Sequence, residues 1–580
     1  MIKIDNLSYS FPQKDLFNKI SFTLEEDQHC ALIGTNGSGK STLMDIIMNP
    51  AKYIFDGKLE MTPNCRVGYV SQFSSLEQTK EFTVFEYIGE EFIKLQNEMA
   101  SICSEMEVSS DFDSLLEKYQ QTLDTFQAMD GDNFENNIMK KLHLANLSKQ
   151  EHLMVSKLSG GEFKLIQVIK EMLTCPELLI MDEPDVFLDF ENLNSLKNLI
   201  NSHKGTMLVI THNRYLLNHC FNKIIHLENK ELQEFDGRYI DYNFSLLQSK
   251  IELQELAIAD QEEIERNEII VDKLRSAATI HTNASRGKAL HARVTIVERL
   301  KARRIKEPFV DIKQPEIHLV TDHAIEEETI ALKVNNYSVG FDTMLLENIS
   351  FEIKSTDKVA LIGPNGTGKT TLLREIYENN RPSIKINKDA RVAFLSQIQG
   401  ETLNESNTIL EEFSDAGFET YQDIKSYLLN YGFEEEALNQ KIESLSGGEK
   451  NILQLAKISA SNANLLLLDE PTSHLDTYSQ IALEKAIENY NGAILMISHD
   501  FYTITNCMDY VLIIDDKTIR KISMRKFRKM IYAKHFDKDY LEIEQKKKEV
   551  ETKIALALKD TDFALAKLLS EKLEELIQLL

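Results

Sequence analysis

The chain is 580 residues long, with 42% apolar and 27% charged side chains and a formal charge of −27. That length suits several domains that each bury a core, and no apolar run approaches the roughly 18–20 residues of a membrane-spanning helix, which argues against an integral membrane protein. The acidity argues against nucleic acid over most of the surface, and six scattered cysteines without a Cys-x-x-Cys pair exclude the usual zinc and iron–sulfur motifs and point to buried free thiols in a reducing, cytoplasmic setting.

In chain order, Met1-Ile2-Lys3-Ile4-Asp5 reads directly as strand, with no signal pattern. A glycine-rich loop follows, Gly34-Thr35-Asn36-Gly37-Ser38-Gly39-Lys40-Ser41, and then Thr42. Glycines let backbone N–H groups ring a phosphate at a helix N-terminus. The predicted nucleotide cradle is therefore Gly34, Asn36, Gly37, Gly39, Lys40, Ser41 and Thr42, with Lys40 on the β- and γ-phosphates and Ser41 on magnesium. After Gln72, the stretch around residues 81–147 carries Phe85, Ile88, Phe92 and Leu95 at helical spacing and reads as an inserted helical subdomain. Then come Leu158-Ser159-Gly160-Gly161-Glu162 and a short apolar run, Leu178-Leu179-Ile180-Met181, that ends in Asp182-Glu183-Pro184 as a buried parallel strand does. Thr211-His212 closes the set.

From about Tyr239 to Lys306 there is no proline and one glycine, Gly287, with Ile240, Phe244, Leu247 and Ile251, and later Leu290, Val294 and Val297, at helical spacing. The stretch Ser276–Lys288 reads as a turn, which predicts two long antiparallel helices with a loop at the tip. Between Lys273 and Lys306 ten basic residues stand against one acid, Glu298, a local charge of +9 in an acidic chain. A single-sign stretch of this kind favours phosphate through counterion release, so Lys273, Arg275, Arg286, Lys288 and Arg293 are candidate RNA-facing residues.

The second half repeats the first. Gly363-Pro364-Asn365-Gly366-Thr367-Gly368-Lys369-Thr370, then Thr371, lies 329 residues after the first loop. Leu445-Ser446-Gly447-Gly448-Glu449, Asp469-Glu470-Pro471 and Ser498-His499 each lie 287 residues after their counterparts, with Gln397 between. By the same chemistry Gly363, Asn365, Gly366, Gly368, Lys369, Thr370 and Thr371 form a second cradle. Basic residues at 520–529 and a charged helical tail follow, the tail suiting either a coiled coil or packing on the second domain. The expected architecture is α/β: two tandem P-loop domains at 1–238 and 309–536, a basic helical-hairpin linker at 239–308 and a helical extension at 537–580.

This ordered motif set resembles ATP-binding cassette domains over nearly all of both halves. The resemblance implies ATP and Mg2+ as cofactors. Asp182 and Asp469, with Ser41, Gln72, Thr370 and Gln397, would serve magnesium; Glu183 and Glu470 would polarise the attacking water; His212 and His499 would contact the γ-phosphate. Phe11 and Phe341, 23 and 22 residues before the loops, stand where the family stacks an aromatic on adenine, with a core position as the alternative. Family sites are completed across a dimer, so the first loop would face Ser446, Gly447 and Gly448, and the second Ser159, Gly160 and Gly161, within one self-closing monomer.

Tandem cassettes, no fused membrane domain, an insertion after Gln72 and a long basic linker resemble the ABC-F class, most of all its bacterial members that dislodge antibiotics of lincosamide, pleuromutilin and streptogramin A type. The class binds ribosomes at the tRNA exit site and points its linker toward the peptidyl-transferase centre. The implied partners are bacterial ribosomal RNA and tRNA, with no membrane. The alternatives are a housekeeping factor of the same class acting on stalled or idle ribosomes, and the ATPase subunit of a transporter. One departure stands out: the first half has Asp182-Glu183-Pro184-Asp185-Val186-Phe187-Leu188-Asp189 where the second has Asp469-Glu470-Pro471-Thr472-Ser473-His474-Leu475-Asp476, which predicts unequal turnover at the two sites.

Overall fold

The structure, a computed structural model, describes residues 1–580 apart from 12–13, 64, 73–80, 108–111, 187, 281–290, 292, 301–314, 322–328, 342–343, 399, 401 and 536–539. In the first half the strands are β1 (Ile2–Phe11), β2 (Lys14–Leu24), β3 (His29–Ile33), β4 (Asp56–Met61), β5 (Val67–Val70), β6 (Leu178–Asp182), β7 (Thr206–Ile210), β8 (Lys223–Glu228) and β9 (Glu231–Asp236). A small antiparallel sheet has the order β2-β1-β4, and a larger one the order β5-β6-β7-β3-β8-β9. Strands β5, β6, β7, β3 and β8 pair in parallel, and β9 closes the edge antiparallel. All five residues of β6 and of β7 are buried, as covering a parallel sheet on both faces demands, whereas edge strand β9 has no buried residue. Ile2, Leu7, Phe17 and Phe22 of the small sheet meet Leu43 and Ile47 of helix Lys40–Met48 and Ile180 and Leu208 of the large sheet in one core.

The second half repeats this plan with β10 (Ile330–Gly340), β11 (Met344–Lys354), β12 (Lys358–Ile362), β13 (Ile384–Ile386), β14 (Val392–Leu395), β15 (Leu465–Asp469), β16 (Ala493–Ile497), β17 (Tyr510–Asp515) and β18 (Thr518–Ser523). Its sheets run β11-β10-β13 and β14-β15-β16-β12-β17-β18. The repeat is α/β in both halves. What differs lies between β5 and β6: α-helices Val84–Met106, Phe112–Ala128 and Phe134–Leu144, against a single shorter α-helix, Tyr421–Asn430, among the described residues at the matching place. The first of these starts where Thr83 and Glu86 form a capping box, and its Phe92 stacks on Phe134 with centroids 5.1 Å apart.

By contacts the chain divides into Met1–Arg238 with Lys313–Ile531, and Tyr239–Ile312 with Tyr532–Leu580. In the second unit a 42-residue helix, Tyr239–Ile280, has a length of about 63 Å at 1.5 Å per residue. It overruns the turn expected from Ser276, because Ser276-Ala277-Ala278-Thr279-Ile280 holds no glycine or proline to stop it; the rest of that expected turn lies outside the described residues. The tail forms helices Tyr540–Lys559 and Phe563–Gln578. Their Val550, Ile554, Ala557, Ala566, Leu573 and Ile577 bury Ile251, with Ile240, Phe244 and Leu247 packed alongside. Of the cysteines expected to be buried, Cys30, Cys220 and Cys507 are; Cys65 is half-buried, and Cys103 and Cys175 are exposed.

Candidate functional site

Each glycine-rich loop leads from a buried strand, β3 or β12, into a helix, Lys40–Met48 or Lys369–Glu378. Gly37 and Gly39 (φ 76° and 100°), and Gly366 and Gly368 (φ 78° and 88°), take the left-handed conformation that aims successive N–H groups inward. Neither helix has a side-chain cap, so its N-terminal N–H groups face the loop. Lys40 is buried and donates from Nζ to the Gly34 and Thr35 carbonyls, both at 2.9 Å; Lys369 does the same to Gly363 (2.7 Å) and Pro364 (2.9 Å). Burial lowers both lysine pKa values, a cost that an anionic phosphate in the loop offsets.

The two halves meet at these loops. The Asn36 N–H donates to Asp476 Oδ2 (3.1 Å) and its Nδ2 to the His474 carbonyl (2.7 Å), both in the other half. In mirror fashion the Asn365 N–H donates to Asp189 Oδ2 (3.3 Å). Each aspartate uses its second oxygen to cap its own helix: Asp476 accepts from Ser479 N, Asp189 from Asn192 N. A Cβ on Gly448 would stand 1.9 Å from Asn36 Nδ2, so the second Ser-Gly-Gly turn lies against the first loop and only glycine fits. Around the second loop a cavity of about 630 Å³ brings Gly366, Lys369, Thr370, Thr371, Gln397, Glu470 and His499 together with Ser159, Gly160 and Gly161. Ser159 and Ser446 are set by capping boxes with Glu162 and Glu449, which explains the invariant step from serine to glutamate in the two copies.

The carboxylates stand at the ends of β6 and β15. Asp469 is fully buried; its oxygens have no hydrogen bond of ordinary geometry, although the Thr370 hydroxyl lies close enough to lower its pKa. Burial and the Glu470 charge lift it to about 7. Asp182 is raised for the same two reasons, with Ser41 and Lys40 opposing. Two buried aspartates, Asp469 without a hydrogen bond of ordinary geometry and Asp182 beside Ser41, suit a divalent cation. Magnesium there would be held by Asp182 with Ser41, and by Asp469 with Thr370, and would neutralise phosphate charge. Gln72, expected in that set, instead donates from Nε2 to Glu183 Oε2 at 2.6 Å.

Glu183 and Glu470 differ. Burial pushes Glu183 up, but the nearby His474 ring and cations, Lys40 among them, outweigh it and leave its pKa lowered. Burial lifts Glu470 to about 7, against Lys369 and the His499 backbone N–H, which donates to Glu470 Oε2 at 3.2 Å. His212 is buried with neither ring nitrogen hydrogen-bonded, and burial together with a nearby lysine lowers both His212 (Lys40) and His499 (Lys369) to about 4. Neutral rings beside the loops are free of charge repulsion with Lys40 and Lys369 and can serve as phosphate contacts. Phe11 and Phe341 are 46% and 79% exposed, which removes the core alternative and leaves both rings accessible. In the linker Lys273 is exposed and Arg293 half-buried; Arg275 lies in the long helix, with its side chain outside the described residues, as are Arg286 and Lys288.

Sequence reasoning gave no role to His474, whose Nδ1 lies 3.5 Å from Glu183 Oε2 across the interface, nor to Lys164, a buried side chain that donates to the carbonyls of Ser71 and Gln72. The Lys164 counterpart, Asn451, donates instead to Pro471 (3.0 Å) and Ser473 (2.8 Å). The signal for both was the mismatch between the two copies at these positions.

The family profile described as "ABC transporter" matches residues 17–186 and 346–473. A Bacillus subtilis protein named as an uncharacterized ABC transporter ATP-binding protein, YfmM, is 31% identical over 522 residues, 87% of this chain and 96% of its own length. The Escherichia coli energy-dependent translational throttle protein EttA is 28% identical over 87% of this chain and 90% of its own. Among solved structures, a model of ribosome-bound archaeal Pelota and ABCE1 aligns with a TM-score of 0.54 at 15% identity, covering 91% of this chain and 80% of that one; it shares the fold. No helix among the described residues is long and apolar enough to cross a membrane. The chain belongs to the ATP-binding cassette family, as a tandem-cassette ATPase of the ABC-F class.

Proposed function

We propose that the protein is a ribosome-associated ATPase of translation, which enters the tRNA exit site when ATP closes its cassettes and leaves on hydrolysis. Glu183 and Glu470 act as the hydrolytic carboxylates, and the linker tip works near the peptidyl-transferase centre, where it perturbs tRNA and RNA and so displaces lincosamide, pleuromutilin or streptogramin A antibiotics. The observation that carries this reading is the joining of two self-completing ATP clefts to a 42-residue helix that leads into a strongly basic segment. A one-sign basic segment suits RNA. The likeness to a protein named as a translational throttle favours a second reading of the same class, a factor that acts on stalled or idle ribosomes without any drug.

Cell-free translation of a reporter on bacterial ribosomes, inhibited by a lincosamide or a pleuromutilin, decides between them. Purified protein with ATP restores synthesis if it displaces the drug, and the lack of a membrane removes export as an explanation. Unrelieved inhibition with the protein bound to ribosomes supports the drug-independent factor, and absence of binding overturns both.

A further inference from the structure

The two hydrolytic carboxylates are supported differently. In the first site Glu183 Oε2 receives Gln72 Nε2 from its own cassette at 2.6 Å, and His474 Nδ1 approaches the same oxygen from the second cassette at 3.5 Å. The position of His474 is itself fixed: its carbonyl accepts from Asn36 Nδ2 at 2.7 Å, and its ring lies against Gly447, where a Cβ would stand 3.3 Å from Cγ. The loop, the Ser-Gly-Gly turn and the glutamate of one site are thus tied together through one residue of the opposite cassette. Among the described residues the second site has no equivalent. The residue 287 positions before His474 is Phe187, whose phenyl ring has no hydrogen-bonding group, and Glu470 is held from within its own cassette by the His499 N–H at 3.2 Å.

We propose that His474 is a positioning residue for the first ATP site, setting Glu183 in trans so that this site becomes competent only when the cassettes meet. The second site sets its glutamate in cis and lacks that check. This rests on the reading of Glu183 and Glu470 as the hydrolytic groups. The 3.5 Å approach falls short of hydrogen-bond geometry in this structure, and such a contact suits the role because catalytic hydrogen bonds tighten as the reacting complex forms. A positioned carboxylate speeds the chemical step and contributes little to ATP binding, so its loss acts on kcat and spares KM.

The test uses the full chain with Glu470→Gln, in which only the first site turns over. Adding His474→Ala is expected to lower kcat about tenfold with KM for ATP changed less than twofold, and His474→Asn, which returns an N–H donor to roughly the Nδ1 position, to recover at least a third of the loss on a logarithmic scale. In the Glu183→Gln chain, where only the second site turns over, His474→Ala is expected to cost clearly less. An unchanged kcat, a rise in KM that accounts for the whole effect, no recovery with asparagine, or equal losses in the two backgrounds would each overturn the proposal. Failure of the underlying reading shows separately: a Glu183→Gln/Glu470→Gln chain that hydrolyses ATP at the wild-type rate rejects the glutamates' role, whatever His474 does.

Discussion

Asp185 stands where the second cassette has Thr472, and its setting shows how one substitution changes the electrostatics of a loop. Its carboxylate turns inward and accepts from Thr211 Oγ1 at 2.7 Å, whereas Thr472 pairs hydroxyl to hydroxyl with Ser498 at 3.4 Å. Burial lifts Asp185 to about 6, with Glu183 adding to the rise. A folded pKa above the unfolded one means that the native state holds the proton longer, so stability falls as pH rises from about 4 to about 6 and the penalty is complete above that. Asp185→Asn keeps the acceptor and removes the charge. Relative to wild type its melting temperature should climb across that window, by a few degrees or about 1–2 kcal/mol after allowance for solvent screening; parallel curves from pH 4 to 7 would reject this account. At this scale the loops, aspartates, glutamates and histidines can be named from the sequence, because phosphate binding needs those residue types in that order. The His474–Glu183 contact could not be, since it joins side chains 291 residues apart through a surface that exists only once both cassettes have folded.

Short helices at the cassette interface carry a second asymmetry. Arg214, at the start of helix Arg214–Cys220, lies largely covered against Glu484 and Asp500 of the second cassette, pairing with Asp500 Oδ2 at 2.9 Å and stacking on Tyr502 at 4.9 Å. The position 287 residues later is Phe501, so this ion cluster has no mirror copy. Removing the cation leaves the buried Glu484 and the half-buried Asp500 without their counter-charge, which costs up to about 3 kcal/mol. Arg214→Met should therefore raise the ATP concentration for half-maximal ATPase at least tenfold, and an unchanged value would show that the cluster contributes nothing to closure. The helical tail makes a parallel case within the linker unit. Its pattern predicted helices in a coiled coil or against the second domain, whereas they pack on the linker helix, because an apolar stripe specifies that it is covered and not by what. Deleting residues 537–580 strips the cover from Ile251 and its neighbours Phe244 and Leu247; amide exchange over 240–255 should speed up at least tenfold while β6 and β15 stay protected, and unchanged exchange would mean that the helix stands without the tail.

For the molecule as a whole, the repeat in the sequence foretold the fold class: two sets of motifs at matched spacing require two α/β sheets of the same order, and β6 and β15 end in their Asp-Glu pairs on corresponding strands. It did not foretell how far the linker helix runs, since a turn was expected where alanines continue the helix to Ile280. Nor did near-identical motifs reveal that one cleft takes support for its glutamate from the opposite cassette and the other does not. The central claim is that ATP-driven closure makes this protein competent for the ribosome, and the most direct test is sedimentation of the Glu183→Gln/Glu470→Gln chain with purified bacterial ribosomes. With ATP it should pellet with the ribosomes at near one-to-one stoichiometry and be released progressively by added salt, and with ADP it should stay in the supernatant. Failure to pellet with ATP, or equal pelleting with either nucleotide, would contradict the account.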